Sequence, residues 1–256
     1  MAMDRKFGVR IFATLIACLA AFAAEAQSPV ASGPAPMAAG AVIALKPFSA
    51  RYKVEAFGFT AGTADITLTA GTEGHYEYRT SLNPRGLFRL AVPSGATLTT
   101  WVETDGATVR PLRYREDDGS RDTDKDVALD FDWPHGIVQG TSHEEPVRLN
   151  VPVNAQDPMS LQLAVLTDFA NSREPRSYAM VDKTKVKQYQ YRSEGRVRIQ
   201  TELGALDTVV YSSTRPGSSK VTRVWYAPSL DYLAVRSEDH DNGRLRVRMS
   251  IISVKR

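Results

Sequence analysis

The sequence predicts an all-β fold: a single large curved antiparallel sheet, an open β-barrel or β-spiral, with one short helix packed against it. Apolar and polar residues alternate with a period of two through most of the chain after residue 47. Turn signals such as 104–107 and 241–243 separate these alternating segments, and one segment alone has strong helical spacing. Cys18 is the only cysteine among 256 residues, so stability must come from a hydrophobic core rather than from disulfides.

The first 26 residues have the three parts of a secretory signal peptide. A basic start precedes an apolar run at 11–24, and Ala-Glu-Ala before Gln27 matches a cleavage site. The run is shorter than the roughly 20 apolar residues of a membrane span. Residues 15–18 also fit a bacterial lipobox, which would make the protein an outer-membrane lipoprotein anchored at Cys18. Cleavage after Ala26 is favoured because the apolar run continues past the cysteine. We therefore expect a periplasmic protein with no transmembrane span after cleavage.

Residues 27–47 are rich in Ala, Pro, Gly and Ser and predict a flexible linker. The antiparallel β domain then covers 48–256. Its predicted strands are 48–55, 65–69, 97–103, 108–115, 186–191, 196–201, 206–212, 220–226 and 244–251.

One segment predicts a helix of about three turns. Asp157 is a suitable N-cap, and Pro158 suits the first helical position. Apolar residues then recur at helical spacing up to Asn171, at Leu161, Val165, Leu166 and Phe169. We expect this helix to lie against the curved sheet.

Residue patterns typical of catalysis, cofactors or metals are absent from the sequence. The histidines are isolated, in or near predicted turns, at 75, 135, 143 and 240. No GxSxG, SxxK or phosphate-loop motif occurs, and a hairpin or bulge explains Gly58 and Gly62. We predict no catalytic residue, no cofactor and no metal site, so the protein is more plausibly a binding protein than an enzyme.

Residues 121–133 alternate carboxylates with apolar side chains. On a strand, one face would hold five aspartates and the other Val127, Leu129, Phe131 and Trp133. Such carboxylates could hold Ca²⁺, but the glycine and distal glutamate of an EF-hand loop are missing. A solvated strand face is favoured.

Charge differs between the two halves of the chain. Residues 27–150 hold 12 Lys/Arg and 16 Asp/Glu, whereas residues 151–256 hold 17 and 11. Arg244, Arg246 and Arg248 share one strand face and are candidate contacts for an anionic envelope component, with a solvated face as the simpler alternative. A net charge of +3 is too small to indicate nucleic-acid binding.

The segment RVWYAPSLDYLAVR, 223–236, joins two predicted strands at a turn, because Pro228 cannot donate to a ladder. Trp225 and Tyr226 should point to opposite faces of one strand. Either Trp225 fills the core, or it lines a ligand-accepting face with Tyr232. The candidate ligand-lining residues are Trp225, Tyr226, Tyr232, Phe131 and Trp133.

This segment also carries a family resemblance. Together with VRPLRYRED (109–117), ALDFDW (128–133), the Asp157-Pro158 helix start and YRSEGRVRIQTELGALDT (191–208), it resembles the bacterial exported family catalogued as domain of unknown function 3108. The resemblance covers residues 48–252 and implies a Gram-negative envelope location and a large curved antiparallel sheet. It implies no reaction, because the family has none established.

Three functions remain open. The first is a carrier or binding module for a lipid or other apolar envelope ligand, for which an open cavity lined by apolar side chains would argue. The second is a structural or assembly factor with an envelope protein or glycan partner, for which a filled core and an exposed patch would argue. The third is a hydrolase, which would need a cleft holding a histidine and a carboxylate.

Overall fold

The computed structural model describes residues 45–72, 74–90 and 92–256. The predicted signal peptide, Cys18 and linker residues 27–44 lie outside the described residues. The described strands and helix are β1 Phe48–Ala56, β2 Phe59–Ala70, β3 His75–Pro84, β4 Thr97–Thr104, β5 Val109–Asp117, β6 Val127–Asp132, β7 Ile137–Ser142, β8 Glu145–Asn150, α1 Ser160–Ala170, β9 Ser177–Asp182, β10 Lys185–Thr201, β11 Gly204–Thr214, β12 Lys220–Ala227, β13 Leu233–Asp241 and β14 Arg244–Lys255. Two short 3-10 helices cover Gly86–Leu90 and Pro228–Leu230. The predicted all-β fold with one α-helix is confirmed.

All fourteen strands belong to one antiparallel sheet. Its order is β8-β7-β6-β5-β4-β3-β2-β1-β14-β13-β12-β11-β10-β9, so β1 pairs with both β2 and β14. The sheet is not closed, and β8 and β9 are its edges. Part of the β9 edge is covered by Gln156, whose N–H donates to the Ala179 carbonyl at 2.9 Å. The Gln156 side-chain amide donates to the Val109 carbonyl at 3.0 Å and so ties this segment to β5.

One face of the sheet carries the core. In β1, Phe48, Ala50, Tyr52, Val54 and Ala56 are buried, while the residues between them are exposed or half-buried. This is the period-two pattern of a strand with one face removed from water.

The helix begins at Ser160, two residues later than the sequence predicts, but the Asp157 carboxylate still bonds to its first turn. The Asp157 Oδ1 accepts the N–H groups of Met159 and Ser160 at 2.7 and 2.8 Å. Its Oδ2 accepts the Thr100 hydroxyl at 2.6 Å and so ties the cap to β4. At the other end, the Asn171 side-chain amide donates to the Gly106 carbonyl at 2.8 Å, in the turn between β4 and β5. Both ends of α1 are therefore fixed to the sheet.

The expectation of one strand over 121–133 is wrong in its first half. β6 begins at Val127, and residues 118–126 form a loop. The Asp117 and Asp118 carboxylates accept the N–H groups of Gly119 and Ser120 at 2.7 and 2.8 Å. Such local bonds compete with a strand ladder, so the turn chemistry overrides the alternation.

Two predicted strands, 186–191 and 196–201, are one long strand, β10. Its ladder with β11 shifts register between Ser193 and Gly195. A bulge therefore bends this strand without ending it. Gly62 likewise lies where the β1–β2 ladder shifts register, as the sequence suggested. Within the described residues, no helix is both long enough and apolar enough to cross a membrane.

Candidate ligand-binding cavity

A cavity of about 150 Å³ lies between α1 and the concave face of the sheet. Its wall comes from α1 with the residues just before it, from β1–β4, and from β9–β14. Apolar side chains such as Leu82, Leu161 and Met180 contribute to it. Solvent reaches the wall at residues that are exposed or half-buried, among them Gln162, Val224 and Met249.

Five tyrosines from four strands line this wall: Tyr52, Tyr78, Tyr189, Tyr191 and Tyr226. The Tyr52 hydroxyl donates to the Ala234 carbonyl at 2.7 Å, and the Tyr78 hydroxyl donates to Gln162 Oε1 at 3.0 Å. Burial raises the pKa of Tyr52, Tyr78, Tyr191 and Tyr226 above the ordinary tyrosine value. These hydroxyls therefore stay neutral near pH 7, and the rings offer an apolar surface with fixed polar edges.

The wall has little charge. Among the described residues that line the cavity, Arg236 and Asp239 are the charged ones, and the Thr222 hydroxyl donates to Asp239 at 2.7 Å. The described wall holds no histidine, cysteine or lysine.

An aromatic cluster adjoins the cavity at the carboxyl end of α1. The Phe169 ring lies 5.0 Å from the Tyr226 ring and 5.2 Å from the Tyr211 ring, centroid to centroid. It stacks on Tyr232 at 4.8 Å and 12°. Tyr226 thus belongs to both the cavity wall and the cluster, while Tyr232 belongs to the cluster.

Trp225 lies on the other face of β12. Val224 and Tyr226 line the cavity, whereas Trp225 is half-buried outside it. Its ladder partner on β13 is Arg236, whose guanidinium carbon lies 5.8 Å from the indole centroid. Arg236 also donates to the Gln200 carbonyl at 3.3 Å, so the end of β10 lies near this face.

Phe131 and Trp133 lie away from the cavity. Their rings stack on each other at 5.6 Å and 24°, and the Trp133 indole N–H donates to the Pro111 carbonyl at 2.8 Å. Neither residue belongs to the cavity wall. Of the five candidates, the structure brings Tyr226 and Tyr232 together beside the cavity, pairs Phe131 with Trp133 elsewhere, and places Trp225 outside the cavity.

The three arginines of β14 differ in their surroundings. Arg248 is paired with Glu238 at 2.8 Å. Arg246 lies 3.8 Å from an Asp241 oxygen, and its guanidinium carbon lies 5.7 Å from the Phe57 ring centroid. Arg244 is exposed. The three arginines therefore do not form a continuous cationic stripe, because Arg246 and Arg248 lie beside carboxylates of the protein itself.

Sequence reasoning missed most of the wall. Tyr189 and Tyr191 are two residues apart in a predicted strand and so share one face, and Tyr52 lies in the apolar row of another strand. This alternation could have indicated that the three side chains point inward. Parity does not show that these strands face a common space, because that depends on how the sheet curves.

A half-buried carboxyl group with a raised pKa, Glu116, lies outside the cavity. Burial raises the pKa of Glu116 to about 7, although the Tyr114 hydroxyl, which donates to its Oε2 at 2.9 Å, opposes the change. Burial likewise raises the pKa of Asp157 to about 6, against the stabilising bonds from Thr100, Ser160 and Met159.

An open antiparallel sheet curled around an apolar cavity, with one helix over it, places the chain among barrel-like all-β proteins. It belongs to the family described as Protein of unknown function (DUF3108), whose model matches residues 48–250. The resemblance seen in the sequence is thereby confirmed. No curated protein matches the chain.

Solved structures give one comparison at the level of the fold. A beta-barrel-like protein of domain of unknown function DUF1849 from Brucella abortus has a TM-score of 0.51 at 11% identity, over 83% of this chain and 98% of that one. The Pseudomonas aeruginosa MucA/MucB complex gives 0.38 at 14% identity, over 82% and 51%. A protein from Parabacteroides distasonis described as a putative lipoprotein gives 0.37 at 11% identity, over 82% and 96%. The last two scores are too low to indicate a shared fold.

Proposed function

We propose that the protein is a non-catalytic binding module of the cell envelope that holds the apolar part of a lipid or similar ligand in the cavity under α1. The observation that carries this proposal is the cavity itself, walled by tyrosine rings and aliphatic side chains. An apolar cavity of about this volume is large enough for one benzene-sized group. It is smaller than the roughly 300 Å³ typical of sites that enclose a whole drug-sized ligand. We therefore expect it to take the end of an acyl chain or one ring, with the remainder of the ligand outside.

The polar groups of the wall favour binding over chemistry. Tyr52 and Tyr78 already donate their hydroxyl protons to protein acceptors, so a ligand entering the cavity meets ring faces rather than unsatisfied donors. Asp239 accepts the Thr222 hydroxyl, so these two side chains form one polar position in the wall. A ligand with an apolar end and a polar head fits this distribution.

Filling the cavity tests the proposal. Val224→Phe places a larger side chain in the wall, whereas Val221→Phe makes the same change on the opposite face of the same strand. Loss of burial for two methylene groups of a ligand is worth about 1.6 kcal/mol, which weakens binding more than tenfold. We expect dodecanoate to displace cis-parinaric acid, measured by fluorescence, from wild type and from Val221→Phe.

The same titration should give at least tenfold weaker binding of both fatty acids to Val224→Phe. Absence of parinaric acid binding by the wild-type protein would contradict the proposal. So would equal binding by the two valine variants, because the cavity would then be irrelevant to the ligand. Native mass spectrometry of protein purified from its own host identifies the natural ligand.

We also propose that the protein is exported to the periplasm. The basic start and apolar run of residues 1–26 support this, with cleavage before Gln27. Metabolic labelling with an acyl probe decides between this and the lipoprotein alternative. Labelling of wild type but not of Cys18→Ser would show an anchor at that cysteine.

A further inference from the structure

Four large apolar side chains are exposed at one end of the sheet. Phe57 lies in the turn between β1 and β2, Phe59 is the first residue of β2, and Leu87 and Leu90 lie in the 3-10 helix after β3. Their exposed fractions are 39, 70, 74 and 78%. Single exposed apolar residues are common, but a group of them marks an interaction site. We call these four residues the apolar rim.

Backbone bonds bring the members of the apolar rim together. The Arg85 N–H donates to the Ala61 carbonyl at 2.8 Å, so the loop after β3 starts beside the first residues of β2. The Phe57 N–H donates to the Arg246 carbonyl at 2.8 Å. The start of β14 therefore lies at the same end of the sheet.

Arginines surround the apolar rim. Arg85 and Arg89 are exposed on the same loop as the two leucines, and Arg244 is exposed at the start of β14. The Arg246 guanidinium lies over the Phe57 ring. This combination presents apolar tips within a cationic margin.

We propose that the apolar rim docks onto the surface of an anionic phospholipid bilayer. Interfacial binding combines burial of apolar side chains at the boundary between head groups and acyl chains with attraction of basic residues to anionic lipid. Arginine side chains reach head-group phosphates while their stems lie along apolar surface. A protein partner fits less well, because a stable protein interface buries about 800 Å² on each side, and two short turns offer little flat surface. The proposal goes beyond the cavity ligand and does not depend on it.

Vesicle flotation of the full chain tests the apolar part. Phe59→Ser, Leu87→Ser and Leu90→Ser are combined in one variant. The matched control combines Val153→Ser and Val197→Ser, since these valines are also exposed, at 81 and 44%, away from the rim. We expect wild type and control to bind vesicles of equal parts phosphatidylglycerol and phosphatidylcholine, and the rim variant to bind at least tenfold more weakly. Equal binding by the rim variant and wild type would overturn the proposal, as would a failure of wild type to float.

A second pair of variants tests the charge. Arg85→Gln with Arg244→Gln should weaken binding to the same vesicles by about fivefold per arginine. Arg192→Gln with Arg196→Gln removes the same charge from exposed positions on β10 and should leave binding unchanged. Equal loss in both pairs would show attraction by net charge alone and would also overturn the proposal.

A depth measurement is independent of affinity and of any anchor at the N-terminus. Because Cys18 is the only cysteine, Leu87→Cys on a Cys18→Ser background accepts one nitrobenzoxadiazole label. We expect vesicles to shift its emission to the blue and brominated acyl chains to quench it, while a label at Val153→Cys remains unaffected. A label at position 87 that keeps its aqueous spectrum in the presence of bound vesicles would exclude docking through the rim.

Discussion

The stability of the protein should fall as pH rises from about 5 to 8, and Glu116 should account for much of the change. Burial raises the pKa of this carboxyl from 4.5 to about 7 in the folded protein. The folded state therefore binds the proton more tightly than the unfolded state does. The free energy of unfolding is highest below the unfolded pKa of 4.5, falls between 4.5 and about 7, and is constant above that range.

The size of the effect follows from the same two values. Each pH unit between them corresponds to about 1.4 kcal/mol, which sets an upper limit of about 3 kcal/mol. Because the side chain is half-buried, solvent screening reduces this figure, and we expect 1 to 3 kcal/mol. Glu116→Gln removes the titration and keeps an oxygen that accepts the Tyr114 hydroxyl.

Urea unfolding at pH 5 and pH 8, followed by circular dichroism, measures the difference. We expect Glu116→Gln to lose 1 to 3 kcal/mol less stability than wild type over this interval. The comparison between the two proteins cancels the titration of other groups, such as Asp157 and His143. Glu202→Gln, an exposed change, should behave as wild type. Identical pH dependence in Glu116→Gln and wild type would refute the reasoning.

Three further predictions concern the backbone at Gly140, the side chain of Trp225 and metal binding by the acidic loop. Gly140→Ala should lower the free energy of unfolding by about 3 kcal/mol or more in urea titrations, because φ is 147° and an added Cβ would lie 1.9 Å from the Ala128 carbonyl oxygen. Gly243→Ala is the control: its added Cβ would meet open space, so it should cost only about 1 kcal/mol. Equal costs in the two variants would contradict a steric role for Gly140. Trp225→Ala should fold and still bind cis-parinaric acid, since the indole lies outside the cavity; a folded variant without binding would place the site on the other face. Calcium and chelators should leave the melting temperature unchanged, because the Lys125 ammonium lies 3.5 Å from an Asp118 oxygen and already supplies positive charge to the acidic loop. A rise of several degrees with calcium would contradict this prediction.

The sheet and helix were predictable because they depend on local signals. Period-two alternation in segments such as 48–55 and 220–226 reflects the geometry of a strand, which repeats wherever one face is buried. The Asp157 cap is equally local, since its carboxylate bonds to N–H groups two and three residues later. The acidic segment 121–126 was mispredicted because turn bonds from Asp117 and Asp118 compete with alternation, and a parity count does not weigh them.

The candidate site was less predictable for a different reason. Parity correctly separates Tyr226 from Trp225, but it does not show which inward residues of β1, β3 and β10 meet across a cavity. The apolar rim was missed entirely, because Leu87 and Leu90 lie in an irregular loop, and only the contacts of Arg85 and Phe57 show which strand ends adjoin.

The sequence by itself determined the class of fold, the helix and its cap, and the family, because each rests on spacing within one segment or on motifs read along the chain. The tertiary structure alone decided that tyrosines from four strands share one cavity, that Trp225 lies outside it, and that two turns and the start of β14 form one surface. Those relations depend on the curvature and register of a fourteen-stranded sheet. Curvature and register are set by bulges, glycines and long-range packing together, so no single segment of the chain specifies them.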